Sequence, residues 1–312
     1  MPIDTYPVRR KPIDTYPTRR TCEPIFLFRR DPVVYGTAAD GPIDDETLGS
    51  FDKNGFLTID PLLDPDEVER YRAEMRRLGT DSALSGDDRL TVEKSSGEVR
   101  SIFEIHKISD IFAELVSDPR VVGRARQILG SDVYIHKSKV TYTPGFRGKE
   151  FFWHSDFETW HAEDGMPRMR AVSISIALTD NFVHNGGLMI MPGSHRTFVC
   201  CLGATPPEHY REALKDQAVG TPDPDSLTML ADKHGIELFT GPAGSATMFD
   251  CNCMHGSNGN ITPFPRSNVF IVFNSVENTC VEPFGATSRR PSFIAARDFT
   301  AVADQRESGG FG

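Results

Sequence analysis

The sequence predicts a mainly β fold with flanking helices, whose core is a double-stranded β-helix, the jelly roll of cupin-like proteins. Helical patterns fill the first half of the chain, and short strand-like runs separated by Gly, Pro and Asn turns fill the second half from about residue 133. One such run, residues 171–179, alternates between aliphatic and small side chains, as expected for a strand with one face in a core. Short antiparallel strands that follow a set of helices are typical of a jelly roll with helices packed outside it.

Composition limits the classes of function. The chain has 312 residues, of which 38% are hydrophobic and 25% are charged, and its formal net charge is −10. A globular protein of this size buries a substantial core, and the acidic balance argues against nucleic acid or an anionic membrane as a partner. We expect no membrane span and no secretion signal. The six cysteines are scattered, so reduced thiols and a cytoplasmic location are predicted.

The N-terminal region contains a short duplication. Residues 2–10 (PIDTYPVRR) and 12–20 (PIDTYPTRR) are near copies, and two units of this length are too short and too polar to build a repeat fold. We therefore predict that residues 1–30 form a flexible arm and that residues 31–305 form a single domain. The excess of arginine in the arm would allow it to dock onto the acidic body.

The first half of this domain is predicted to be mainly helical. Asp64 is suited to cap a helix, Pro65 to its first position and Glu67 to a capping box, and Gly79 is expected to end the helix. The other elements predicted in this half are a helix at 44–53, a strand at 55–59, a loop at 80–98 and helices at 109–116 and 119–129.

The strands of the second half are predicted to form the jelly roll. In the run 171–179, the small residues Ser173, Ser175 and Ala177 share one face, which suits the inside of a barrel that holds a polar ligand. Residues 203–238 are long for a plain connection and hold two helical patterns, about 206–217 and 224–234, so we expect a lid over a site. The other strands are predicted at 133–136, 188–191, 244–249 and 268–275.

A set of metal ligands is the main chemical signal. His154 and Asp156 form a His-x-Asp pair, and His255 follows in a Met-His-Gly-Ser-Asn stretch. Two histidines and one carboxylate are the facial triad that holds non-haem Fe(II) in oxygenases. Alternation along a strand would point His154 and Asp156 to one face, and a distant strand would supply His255. Three coordination positions would then stay open for a chelating co-substrate and for O2.

Arg266 follows His255 at a short interval and suits a co-substrate. In such oxygenases a basic residue beyond the distal histidine pairs with the far carboxylate of 2-oxoglutarate, and a guanidinium fork binds a carboxylate through two hydrogen bonds. Ser257 would add a hydroxyl bond. Taken alone, His255 is also compatible with a core histidine and Arg266 with a solvated turn residue. Because Asp156 leaves no place for a halide, hydroxylation is favoured over halogenation.

Several segments resemble a known family. They are residues 30–36 (RDPVVYG), 98–104 (EVRSIFE), 151–167 (FFWHSDFETWHAEDGMP), 173–181 (SISIALTDN), 192–195 (PGSH) and 254–270 (MHGSNGNITPFPRSNVF). Together they resemble the ectoine hydroxylases, members of the phytanoyl-CoA dioxygenase-like group of Fe(II)/2-oxoglutarate-dependent oxygenases. The resemblance covers about residues 29–300, and the segment around residues 153–161 is far more specific than a bare triad.

The resemblance implies an enzyme that hydroxylates ectoine, a compatible solute of osmotic stress, to 5-hydroxyectoine with Fe(II), 2-oxoglutarate and O2. Ectoine is a small cyclic zwitterion, so aromatic side chains would cage its cationic ring by cation–π attraction, and Arg290 would take its carboxylate. The implied iron ligands are His154, Asp156 and His255; the implied 2-oxoglutarate contacts are Arg266 and Ser257; and the implied substrate contacts are Thr159, Trp160, Phe249, Asn268 and Phe270.

One segment departs from the family pattern. Where the family reads His-Gln-Ser-Arg-Ile-Asn, residues 136–141 read His-Lys-Ser-Lys-Val-Thr. Lys137 replaces a glutamine expected to touch ectoine, whereas Lys139 and Thr141 replace an arginine and an asparagine near the co-substrate. Lys139 keeps the charge but loses the fork. Lys137 disfavours a cationic ring unless it turns outward or binds the carboxylate.

Three alternatives therefore stay open. An enzyme of the same type acting on another cyclic amino acid, such as proline or pipecolate, is the first. A non-catalytic, cupin-like solute-binding protein is the second, although a pure binder needs no open coordination positions. An enzyme acting on an acyl-CoA is the third, which the acidic balance and the small aromatic cage disfavour. The resemblance also implies a homodimer.

Overall fold

The computed structural model describes residues 12–19, 23–92, 99–210 and 219–303 of the chain. Its α-helices are α1 (Asp45–Asn54), α2 (Pro65–Thr80), α3 (Ile105–Ile108), α4 (Asp110–Val116), α5 (Pro119–Leu129), α6 (Asp156–Thr159) and α7 (Pro224–His234). Its strands are β1 (Ile25–Phe28), β2 (Phe56–Ile59), β3 (Leu90–Val92), β4 (Val99–Phe103), β5 (Val133–Thr143), β6 (Phe151–His154), β7 (Ala171–Ala177), β8 (Leu188–Ile190), β9 (Thr197–Cys200), β10 (Glu237–Phe239), β11 (Ala246–Asp250), β12 (His255–Ser257) and β13 (Arg266–Ser275).

The helices begin where their capping residues predict. The Asp64 side chain accepts hydrogen bonds from the backbone N–H groups of Asp66 and Glu67, and the Glu67 side chain completes the capping box. The end of α2 differs from the prediction, because the helix runs through Gly79 to Thr80 and is closed by Asp81. A glycine ends a helix when it takes up the left-handed conformation, as Gly55 does after α1, and Gly79 does not.

The strands form the predicted jelly roll. A seven-stranded sheet has the order β2-β11-β7-β13-β5-β4-β3, and a four-stranded sheet has the order β10-β8-β12-β6. Neighbouring strands pair antiparallel in both. The rings of Phe249 in β11 and His255 in β12 lie 4.9 Å apart, so the small sheet faces the large one across the interior.

The two faces of β7 divide the core from the interior as predicted. Val172, Ile174 and Ile176 are fully buried in the main hydrophobic cluster with residues of α4 and α5. Burying such aliphatic side chains contributes roughly 1.5–3 kcal/mol each. Ser173 and Ser175 point the other way, toward the interior of the jelly roll, where both hydrogen-bond to polar side chains.

The N-terminal region differs from the predicted flexible arm. Within residues 12–19, Tyr16, Thr18 and Arg19 are buried, and β1 pairs with β9. The physical reason is that this segment carries the partners of buried polar and aromatic groups in the domain, which local sequence does not reveal. Residues 1–11 and 20–22, including the first copy of the duplication, lie outside the described residues, and the domain boundary at residue 30 remains a prediction.

The predicted lid is described in part. Its second helix, α7, spans Pro224–His234 as predicted, whereas most of the first predicted helix, at 206–217, lies outside the described residues. Before that segment, His209 and Tyr210 line a cavity of the domain. None of the described helices is both long and apolar enough to cross a lipid bilayer.

Candidate metal centre

The two histidines are placed by strand pairing. His154 ends β6 and His255 begins β12, and the register of these neighbouring strands sets the two residues opposite each other. Their ring centroids are 4.2 Å apart. A register shift lies between His255 and Ser257, which pairs with Phe151. The distant strand predicted to supply His255 is therefore β12.

Asp156 reaches the histidines in a way that the sequence did not predict. It does not continue β6, because the chain turns at Ser155 and Asp156 begins the short helix α6. The turn is held by the Ser155 hydroxyl, which donates to Asn252 at 2.8 Å, and by the Phe157 N–H, which donates to the Cys251 carbonyl at 2.8 Å. Strand alternation, the predicted cause, therefore does not place Asp156 beside the histidines.

The three side chains form a compact set of donors. One ligand atom from each of His154, Asp156 and His255 lies within 4.8 Å of the others. The His154 Nε2 atom is 3.9 Å from one Asp156 carboxylate oxygen, and the His255 Nε2 atom is 4.0 Å from the other. The Ser173 hydroxyl donates to the same carboxylate at 3.2 Å. A metal ion fits between groups at these separations, since its bonds to nitrogen and oxygen are about 2 Å long.

The protonation of the histidines suits a metal. Each Nδ1 lies against a backbone carbonyl, that of Phe152 at 2.7 Å for His154 and that of Cys253 at 3.0 Å for His255. A carbonyl only accepts, so each Nδ1 carries a proton and each Nε2 is the atom left to bind a metal, the usual arrangement behind a metal-bound histidine. Burial and the neighbouring His255 lower the pKa of His154 to about 4. Burial raises the pKa of Asp156, but His255 and His154 outweigh it and hold that pKa below its usual value.

An inner cavity of about 90 Å³ opens from these ligands toward β13. Three of its polar atoms are buried without a hydrogen-bond partner among the described residues: the Ser257 hydroxyl, the Arg266 Nε and the Asn268 side-chain oxygen. Burial lowers the pKa of Arg266 to about 10. Buried polar groups are normally satisfied, so donors from Ser257 and Arg266 beside a metal site fit a carboxylate ligand. Lys139 and Thr141, the other predicted co-substrate contacts, also line this cavity.

Two lysines occupy the aromatic faces that were predicted to cage the substrate cation. The Lys137 Nζ lies 5.6 Å from the ring centroid of Trp160, and the Lys139 Nζ lies 5.5 Å from that of Phe270. Burial lowers the pKa of Lys137 to about 7, helped by Arg290, and that of Lys139 to about 8. Lys137 does not turn outward, since it lines both cavities of the site. The ammonium groups of Lys137 and Lys139 therefore already occupy the aromatic faces on which a substrate cation would stack.

The remaining predicted contacts are divided between two places. Trp160, Asn268 and Phe270 line the inner cavity, whereas Thr159 and Arg290 line an adjoining outer cavity of about 440 Å³. Phe249 lines neither cavity: it is fully buried and packs behind His255 and Phe270. The guanidinium of Arg290 is bonded to Asp164 at 2.8 Å, so it faces the cavity as one half of an ion pair.

Several cavity residues were missed from the sequence. They are Arg100, Phe103, Phe151, Ser175, Leu188, His209 and Tyr210. Signals existed for some of them: residues 98–104 are part of the family resemblance, Ser175 belongs to the small face of β7, and His209 and Tyr210 lie in the predicted lid. No local pattern distinguishes these residues from their neighbours, because their roles depend on how distant segments meet.

Known proteins match the chain over most of its length. The family described as phytanoyl-CoA dioxygenase (PhyH) matches residues 51–268. The ectoine dioxygenase of Streptomyces coelicolor is 63% identical over 275 residues, which cover 88% of this chain and 92% of that relative.

Solved structures agree with the sequence relatives. The crystal structure of EctD from S. alaskensis with 2-oxoglutarate and 5-hydroxyectoine is similar with a TM-score of 0.84 and 46% identity, covering 93% of this chain and 96% of that chain. The structure of the same protein with bound Fe has a TM-score of 0.84 and 44% identity, covering 94% and 98% of the two chains. The fold, the matched family and these relatives all lead to one assignment: this chain belongs to the phytanoyl-CoA dioxygenase family.

Proposed function

We propose that this protein is an Fe(II)/2-oxoglutarate-dependent dioxygenase that hydroxylates ectoine to 5-hydroxyectoine. The observation that carries the proposal is the grouping of His154, Asp156 and His255 beside a cavity whose Arg266 and Ser257 lack partners among the described residues. Relatives at 50–63% identity are ectoine dioxygenases, and the similar EctD was crystallised with 2-oxoglutarate and 5-hydroxyectoine.

The donor set fits Fe(II). Two neutral imidazoles and one carboxylate on one side of an ion leave positions open for a chelating acid and O2. When bound, Fe(II) supplies the oxidative chemistry by which 2-oxoglutarate and O2 give succinate, CO2 and one oxygen atom for a substrate C–H bond. The contribution of the chain is to fix the ligands, through the backbone carbonyls behind both histidines and the Ser173 hydroxyl behind Asp156, because such supports orient the ligands and tune their basicity.

Arg266 and Ser257 hold the far carboxylate of 2-oxoglutarate in this proposal. The guanidinium offers a fork of donors, and its Nε is buried without a partner in the described chain. The Ser257 hydroxyl is buried and available in the same cavity. Lys139 and Thr141 complete the polar lining, and the Lys139 ammonium would face the acid from the side of Phe270.

The substrate would occupy the space between the inner and outer cavities. Lys137 lines both cavities and has no ion-pair partner among the described residues, so we assign it to the ectoine carboxylate, with Arg290 beyond it. Trp160, Thr159, Asn268 and Phe270 would enclose the ring and orient one C–H bond toward the metal. The lid residues His209 and Tyr210 line the outer cavity, and covering the substrate there would keep water from the reaction.

The two lysines also favour a second candidate, hydroxylation of another cyclic amino acid such as L-proline or L-pipecolate. The Trp160 face that would stack on an amidinium is partly taken by Lys137 at 5.6 Å, and these acids present a carboxylate without a delocalised cation. A solute-binding protein without turnover is the remaining alternative. It is separated from both enzymes by whether succinate forms.

The test is anaerobic reconstitution with Fe(II), followed by O2 and 2-oxoglutarate, with ectoine, L-proline and L-pipecolate assayed in parallel for succinate and for product mass. We expect succinate and hydroxylated ectoine in equal amounts. Coupled turnover with only another amino acid would favour the second candidate, and no succinate with any of the three from iron-loaded protein would favour the binding protein.

We propose that the protein is cytoplasmic and that it forms a homodimer. All five cysteines in the described part of the chain are buried and free, as is usual for proteins of reducing compartments. Light scattering coupled to size-exclusion chromatography measures the assembly state directly, and a monomer at micromolar concentration would contradict the dimer.

A further inference from the structure

Arg19, near the N-terminus, lies buried behind the metal centre. Its guanidinium forms two parallel bonds to Glu158, from Nε at 2.9 Å and from Nη2 at 2.7 Å, and a third from Nη1 to Glu163 at 2.6 Å. All three side chains are almost fully buried, at 0%, 1% and 3% exposure. Glu158 belongs to α6, the helix that Asp156 begins. A bidentate buried pair of this kind fixes orientation as well as position.

The other residues of the same N-terminal segment contact the same stretch of chain. The Thr18 hydroxyl donates to Glu158 at 2.7 Å. Asp14 lies 3.0 Å from the His161 Nε2. The Tyr16 ring packs edge-on against Phe157 with centroids 5.3 Å apart. Residues 12–19 thus support the outer side of residues 156–163, a stretch that presents Asp156, Thr159 and Trp160 to the site.

Arg19 also joins the lid to this support. Its backbone N–H donates to the Cys201 carbonyl at 2.9 Å, and its Nη1 donates to the Thr205 hydroxyl at 2.9 Å. Further along the lid, the Gly220 backbone packs closely against the same cluster, since a β-carbon there would lie 2.6 Å from the Arg19 Nη2 and 2.7 Å from Glu158. Described lid residues on either side of residues 211–218 therefore contact the Arg19 side chain.

The backbone of Arg19 indicates that these contacts are strong enough to impose a conformation. Its φ is +57°, a left-handed value that few residues other than glycine adopt. Removing one partner of a buried pair leaves an uncompensated charge, which is strongly destabilising. Without Arg19, two carboxylates directly behind the metal centre would lack their closest cation.

We propose that Arg19 is a positioning residue for the oxygenase reaction: it holds α6 in the geometry that presents Asp156 and Trp160 to the site, and it anchors the lid at Thr205 and Gly220. The role in catalysis rests on the proposed function, whereas the locking of α6 does not. A second path leads from Arg19 to the cavity, because Glu163 also lies 3.9 Å from Arg290, which lines the outer cavity.

The duplication suggests a conservative substitution that tests the docked segment. The copies PIDTYPVRR and PIDTYPTRR differ only at Val8 and Thr18. Besides its bond to Glu158, the Thr18 hydroxyl accepts from the Cys201 N–H at 3.0 Å, and a valine makes neither bond. Thr18→Val turns the docked copy into the sequence of the other copy and removes two bonds while keeping Arg19.

The test compares Arg19→Met, Arg19→Lys and Thr18→Val with a matched control, Arg170→Met. Arg170 is another buried arginine with a carboxylate partner, Glu277, and it otherwise bonds to Leu129 and Gly130 rather than to residues 156–164. The chain has two tryptophans, Trp153 and Trp160, so acrylamide quenching of intrinsic fluorescence in metal-free protein reports on the metal-binding stretch alone. The second readout is hydroxylated product per succinate formed in the loaded enzyme.

We expect Arg19→Met to raise the quenching constant severalfold and to lower product per succinate at least twofold, with smaller changes of the same sign in Arg19→Lys and Thr18→Val. Arg170→Met should lower thermal stability without changing either readout. The proposal is overturned if quenching and coupling in the Arg19 and Thr18 variants equal those of Arg170→Met at similar loss of stability. Should wild-type protein fail to turn over ectoine, the proposed function fails, and the quenching comparison still decides whether Arg19 positions α6.

Discussion

Arg266 provides the sharpest test of the co-substrate site, because its stability effect and its binding effect should have opposite signs. Its Nε is buried without a partner in the described chain, and burial is the sole cause of its lowered pKa, about 10. A cation kept in this state destabilises the protein that carries it. The prediction is that Arg266→Met stabilises the unliganded protein and abolishes tight binding of 2-oxoglutarate.

The magnitudes follow from the same observations. At 1.36 kcal/mol for each pKa unit, the lowered pKa of Arg266 corresponds to about 3 kcal/mol of unfavourable burial, and methionine keeps most of the apolar contact of the arginine stem. Part of the side chain still reaches solvent, so we expect a gain of about 1–2 kcal/mol in the free energy of unfolding. Two charge-assisted bonds to a carboxylate contribute about 1.5–3 kcal/mol each. Their loss should raise the Kd of 2-oxoglutarate by about 100-fold or more.

Two measurements test this prediction. Thermal unfolding of metal-free protein gives the stability change, and calorimetric titration with 2-oxoglutarate under anaerobic conditions, with Mn(II) in place of iron, gives the Kd. Arg196→Met is the control, since Arg196 is 51% exposed and pairs with Asp52 on the surface; it should change neither quantity appreciably. The reasoning is refuted if Arg266→Met loses stability while its Kd for 2-oxoglutarate stays at the wild-type value.

Three further changes have defined outcomes. Asp156→Ala should remove metal binding and turnover while circular dichroism stays native; metal content after dialysis checks this, and retained iron would contradict the ligand assignment. Lys137→Gln should raise KM for ectoine about tenfold or more through the loss of one charge-assisted contact, with KM for 2-oxoglutarate unchanged; a lower KM for ectoine would mean that Lys137 repels the ring cation instead. Asp64→Ala should cost about 1–2 kcal/mol in unfolding free energy through loss of the α2 cap and leave both KM values unchanged, and an unchanged melting temperature would contradict the cap.

The elements that were predictable from the sequence have local causes. α5 spans Pro119–Leu129 as predicted, since Asp118 caps it, Pro119 occupies its first position and the left-handed Gly130 ends it. The two faces of β7 follow from alternation, with Ile174 in the core and Ser175 toward the site. In each case the residues that determine the structure lie within one turn or one strand.

The elements that were not predictable depend on contacts between distant segments. Asp156 meets His154 because the Ser155 hydroxyl bonds to Asn252, 97 positions along the chain, and no alternation rule contains that bond. Arg19 is buried because its guanidinium bonds to Glu158, which lies 139 positions further along the chain. Phe249 is likewise buried behind His255 because the two sheets pack against each other. The residues around Phe249 in the sequence do not reveal that packing.

The charge distribution of the site connects its structure to its ligands. The chain has a formal net charge of −10, yet among the described residues that line the two cavities there are six cations (Arg100, Lys137, Lys139, Lys149, Arg266, Arg290) and three carboxylates (Glu150, Asp156, Glu163). A divalent metal ion would add to this positive excess and a dicarboxylate co-substrate would offset it, so the cavity still favours a carboxylate on the substrate. A positive cleft in an acidic protein concentrates anions at the opening. Three of these cations, Lys137, Lys139 and Arg266, form no ion pair with the described residues. These cations weaken the unliganded fold and would select the ligands that complete the site, so stability and binding should change in opposite directions when one of the three is removed.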